Sequence, residues 1–130
     1  MQTTPRYTLT KNEKIKHRKQ IEFLFKNAQS FNVYPLRVLY LFAPENDVNV
    51  QVGFTVSTRY FKNAVDRNRI KRLMREAYRL QKNDLISKVE KHNKKLQVFF
   101  IFSGNELPEY AVVYTKMEQS LSKLIKNLNA

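Results

Sequence analysis

The sequence predicts an α+β fold, a small sandwich of helices on a mainly antiparallel four-stranded sheet. Three observations carry this. Apolar residues recur at helical spacing in four segments, and at strand spacing or without a break in three others. The segments run in the order α-β-β-α-α-β-α, which suits helices laid on one sheet. The chain has 130 residues and a hydrophobic content of 42%, enough for one domain around one core. A loose tail over residues 1–8 and a single domain over residues 9–130 are expected.

Taken in order, residues 10–19 are polar and basic, with Lys11, Lys14, Lys16, His17, Arg18 and Lys19. Ile21, Leu24, Phe25 and Ala28 then repeat at helical spacing, so a helix is expected over Arg18–Asn27. Residues 27–32 read as an exit turn with a short edge strand. Residues 34–42 are aromatic and aliphatic, with Pro35 near the start, where strands tolerate it. The stretch 43–47 is a turn by composition. In residues 48–57, Val48, Val50, Val52, Phe54 and Val56 alternate onto one face, a period-2 strand. The two strands are expected to pair as an antiparallel hairpin. A basic helix follows over residues 62–80, and after a polar break a second, shorter one over 84–92, with Leu85, Ile86 and Val89 inward. The unbroken apolar run over 96–102 reads as a strand buried on both faces. A loop holding Gly104 and Pro108 leads to a last helix over 115–128, with Met117, Leu121, Leu124, Ile125 and Leu128 inward.

The basic helix organises the rest. At about 100° per residue, Arg67, Lys71, Arg72, Arg75 and Arg79 share one arc with Asn68. Ile70, Leu73, Met74, Ala77 and Leu80 share the opposite arc, and Arg69 stands at the polar border. Asn63 is a good N-cap, and Asp66 three residues on gives a capping-box-like pattern. A charge run is often only solvated surface. Here the outer face is almost free of acids, whereas exposed helices usually mix signs. Its residues are mostly arginine, whose planar fork suits phosphate.

Composition narrows the partner. The formal net charge is +13 and the sequence pI about 10.1, which points to a polyanion, most often nucleic acid. No apolar run is long enough to span a bilayer, and no signal-peptide pattern is present. There is no cysteine, hence no disulfide framework and no thiolate metal site; a cytoplasmic protein is the natural inference. Two glycines leave no Gly-rich phosphate loop. His17 and His92 are isolated, and no carboxylates cluster near the basic helix, so neither a metal site nor acid–base catalysis by the protein is expected.

The run Asn63-Ala64-Val65-x-Arg67-Asn68-Arg69-x-Lys71-Arg72 resembles the RNR signature of the bacterial ribonuclease P protein component. Residues 52–57, VGFTVS, are similar to the strand that precedes it in that family, and the similarity covers roughly residues 14–128. Lys62 stands where the family often has glycine, and the connector 58–62 is one residue longer. The resemblance implies a fold like the second domain of ribosomal protein S5, with a left-handed βαβ crossover. It implies a protein cofactor of a catalytic RNA that cuts precursor tRNA to leave the mature 5′ end, with Mg²⁺ held mainly by the RNA and no protein metal site. The partners implied are that catalytic RNA and precursor tRNA, with no membrane and no obligate protein partner. The RNA-facing set carried over is Arg59, Lys62, Asn63, Arg67, Asn68, Arg69, Lys71, Arg72 and Arg75. A cleft between the first helix and the sheet, carried over as Lys16, Ile21, Phe25 and Tyr40, would take the single-stranded 5′ leader. Aromatic rings there stack on bases without reading identity, as a leader of variable sequence requires.

Alternatives share the charge. A ribosomal-type RNA-binding protein or RNA chaperone would co-purify with a different RNA. A DNA reader would want a dimeric scaffold, and no dimerisation seam is evident. A membrane-docking protein would want large exposed apolar residues beside the lysines.

Overall fold

A computed structural model of the chain describes residues 13–15, 18–42 and 48–128. The expected tail over residues 1–8 lies outside them. The elements are α1 (Arg18–Asn27), β1 (Gln29–Val33), β2 (Leu36–Phe42), β3 (Val50–Val56), α2 (Ala64–Lys91), β4 (Leu96–Phe102) and α3 (Tyr110–Leu128). The strands form one sheet in the order β1-β2-β4-β3.

The expected hairpin of β2 and β3 does not form. β4 lies between them, antiparallel to β2 and parallel to β3. The cause is the apolar run in β4. A strand with apolar side chains on both faces needs cover on both, and the middle of the sheet, packed by helices on each side, favours it. β3, α2 and β4 therefore make a βαβ unit, and β3 moves to the rim. Its outer edge is taken by the N-terminal strap: Lys14 bridges Val52, and the Ile15 N–H donates to the Val52 carbonyl at 2.9 Å.

Alternation along the strands divides the core in two. On one face Leu36, Val38, Tyr40, Val52, Val98 and Phe100 pack against Ile70, Met74, Tyr78 and Leu85 of α2 and Met117 and Leu124 of α3. On the other, Leu39 and Phe99 pack against Ile15 and Leu24, with Ile21 and Ile101 partly covered. Gly53 belongs to this second face. A methyl group there would overlap the Phe99 ring, so glycine lets Phe99 lie flat on the strand.

Two helices differ from expectation. Residues 64–91 are one helix, not two. No Gly or Pro interrupts them, and the polar Gln81 and Lys82 are used inward. The Gln81 amide donates to the carbonyls of Ala77 and Tyr114, each at 3.1 Å. Lys82 is only 2% exposed and pairs with Glu13 at 2.8 Å. Tyr78, assigned to neither arc, is fully buried, whereas Leu80 is 40% exposed. The second difference is α3, which begins at Tyr110 rather than at residue 115. The Glu109 carbonyl accepts from the N–H groups of Val112 and Val113, and the rings of Tyr110 and Tyr114 meet one turn apart at 5.9 Å.

Candidate nucleic-acid interface

The start of α2 is built by its own sequence. Asn63 caps it, the side-chain oxygen accepting the Val65 N–H at 3.1 Å. Arg67 Nη1 donates to the Phe61 carbonyl at 2.9 Å and is half-buried. Arg67 thus leaves the outer arc to which the helical wheel assigns it and ties the preceding loop to the helix. Arg79 is also engaged: its Nε and Nη2 donate to the two Glu76 carboxylate oxygens at 3.1 and 2.9 Å. That hydrogen bonding, opposed by slight burial, holds the Glu76 carboxyl below its ordinary range.

What remains is a contiguous exposed surface. Lys62, Asn68, Arg69, Arg72 and Arg75 are exposed and Lys71 is half-buried. Arg59 is exposed as well, its guanidinium carbon 5.4 Å from the centroid of the Tyr60 ring. Concentrated positive charge on a rigid helix attracts the phosphates of a nucleic acid and matches their geometry bidentately.

The second candidate surface lies between α1 and the sheet. Phe25 is 49% exposed, and its ring meets the edge of Phe99 at 5.2 Å. Ile21 is half-buried beside it. Tyr40 is not part of this surface. It lies on the opposite face of the sheet, its hydroxyl donating to Gln29 Oε1 at 2.7 Å and accepting from Asn127 Nδ2 of α3 at 3.2 Å. The reason is period 2: Leu39 faces α1, so its neighbour Tyr40 cannot. The same alternation brings Arg37, paired with Ile101, to the α1 face, where it is exposed. The period-2 pattern of β2 is the signal in the sequence that places Arg37 on this face. Lys16 lies outside the described residues.

Among the described residues, no three His, Cys, Asp or Glu side chains cluster as metal ligands, and no helix is long and apolar enough to cross a membrane. Fold and surface define a class: a small basic α+β protein with an exposed arginine-bearing helix of the kind that suits nucleic acid. The ribonuclease P family matches residues 9–129. A ribonuclease P protein component of Porphyromonas gingivalis is 35% identical over 129 residues, covering 98% of this chain and 94% of that protein. One from Clostridium novyi is 32% identical over 91% of this chain. The Staphylococcus aureus RNase P protein shares the fold, with a TM-score of 0.70 at 21% identity over 86% of this chain and 94% of that one. The chain belongs to the ribonuclease P protein family. Its function is that of the protein component of ribonuclease P, an endoribonuclease built of RNA and protein.

Proposed function

We propose that α2 docks on the catalytic RNA of ribonuclease P while the groove beside α1 holds the 5′ leader of precursor tRNA, in the cytoplasm, where tRNA precursors are made. One observation carries this reading. The exposed Asn68, Arg69, Arg72 and Arg75 are held by a capped helix with Lys62 just before its cap, on a molecule that also exposes Phe25 on a separate surface beside α1. One surface suits phosphates, the other unstacked bases. Lys71 and Arg59 flank the first. Asn63 and Arg67 act chiefly by fixing the helix start and its loop. In the groove, Ile21 and Phe25 stay as leader contacts, Arg37 joins them as the cation for the leader backbone, and Tyr40 drops out as a packing residue. The single domain spanning residues 9–130 is retained in this reading. The arginines and lysines of the interface are hydrogen-bond donors that bind and orient RNA. Hydrolysis, with its Mg²⁺, belongs to the RNA.

The test is reconstitution. The protein, mixed with the ribonuclease P RNA of the same organism, should restore precursor tRNA cleavage at a Mg²⁺ concentration where the RNA alone is slow. Absence of any stimulation overturns the reading. Phe25→Ala should weaken precursor tRNA binding by the holoenzyme about tenfold through lost stacking and leave mature tRNA, which has no leader, unaffected. Phe25 is half exposed, so the cavity cost of the change is small. Equal weakening for both tRNAs would return Phe25 to an ordinary packing role.

A further inference from the structure

The loop between β3 and α2 is fastened along its length. Phe61 is buried, with its ring centroid 6.0 Å from that of Phe102. Its carbonyl is held by Arg67, and the Arg59 N–H donates to Ser57 Oγ at 3.3 Å. Yet Tyr60, between these anchors, is 48% exposed. Arg59 lies over its ring, and no other aromatic ring of the described residues packs on it. The fold thus spends an ordered loop on presenting a ring that it does not bury.

We infer that Tyr60 is a stacking platform for an unpaired base of the RNA that lies along α2, with Arg59 backing the ring. The inference rests on the reading of α2 as the RNA-facing helix. A fixed ring stacks at little entropic cost. A cation on one ring face leaves the other for the base and lies close enough to meet the adjoining phosphate. The flanking exposed charges, Arg59 and Lys62, favour RNA over a protein partner. A base inside a duplex offers no free face, so the nucleotide must be unpaired or terminal.

The chain contains no tryptophan, so Tyr60→Trp places a single reporter at the site. Titrated with ribonuclease P RNA transcribed from the same genome, its emission should be quenched at saturation. Tyr60→Phe, which keeps the ring, should bind as wild type does. Tyr60→Leu should bind about tenfold more weakly with an unchanged salt slope, because no charge is lost. Wild-type affinity in Tyr60→Leu, or tryptophan emission unmoved by saturating RNA, overturns the stacking role while leaving α2 as the docking helix. If the wild-type protein itself fails to bind this RNA, the docking reading falls and the Tyr60 assignment falls with it.

Discussion

Replacing Arg69, Arg72 and Arg75 together with alanine is expected to lower affinity for the ribonuclease P RNA about a hundredfold at physiological salt. The estimate follows from counterion release: each neutralised phosphate contributes about 0.7 to 0.9 to the slope of log affinity against log salt. Three lost contacts should flatten that slope by about 2 to 3 and shrink the deficit as salt rises. These side chains point outward from a helix whose opposite side is packed, so thermal stability should hold within a degree or two of wild type. Arg67→Ala should behave differently. It removes the donor to the Phe61 carbonyl, so stability should fall along with affinity. Arg79→Ala differs again, because it releases the Glu76 carboxylate beside the same surface. Filter binding or fluorescence titration over a salt series reads all three. A triple variant with the wild-type slope would mean that α2 does not face the RNA.

The contrast among these arginines marks where sequence reading stopped. Helical spacing located the first half of α2, its cap and the buried Ile70, Met74 and Ala77, because period and propensity are local properties. Spacing could not separate Arg67 from Arg72, since what distinguishes them is a carbonyl in the preceding loop. The strand order was likewise out of reach. Two adjacent amphipathic strands suggest a hairpin, and only the need to cover β4 on both faces separates them. Lys82 was hidden for a similar reason: a lysine among polar neighbours reads as surface until a carboxylate 69 positions upstream is brought against it. The misplacement of Tyr40 differs in kind. It came with the family resemblance, while the alternation of Leu39 and Tyr40 argued against it. Phe25, by contrast, is exposed on α1 and touches Phe99, whose ring lies over Gly53, a residue that strand periodicity alone marks only as a gap.

Lys82→Met is expected to cost about 3 to 5 kcal/mol of folding stability, the range found when one partner of a buried ion pair is removed. Lys82 is almost wholly enclosed, and Glu13 is only slightly more open, at 12% side-chain exposure. Loss of the ammonium leaves a carboxylate in a poorly hydrated site, near the buried Tyr78 hydroxyl. Burial, with the Glu13 charge adding to it, already pushes that hydroxyl far above the ordinary tyrosine range, and among the described residues it has no hydrogen-bond partner. Removing both charges, as Glu13→Leu with Lys82→Met, should recover most of the loss, because two apolar side chains need no desolvation repaid. Urea unfolding of wild type, Glu13→Leu, Lys82→Met and the double variant gives the coupling directly. The pair also reaches function. Glu13 sits against α2, Lys14 lies along the rim of β3, and Ile15 enters the cluster beneath α1. The strap thus crosses from one face of the sheet to the other, and its Ile15 packs in the cluster that α1 covers. With the clamp broken, α1 should ride less firmly on Phe99, and precursor tRNA binding should weaken more than binding of the ribonuclease P RNA, which depends on α2. A Lys82→Met protein as stable as wild type, or a double variant no better than the single one, would show that Glu13 and Lys82 are not coupled and that the strap is held by its backbone bonds to Val52 instead.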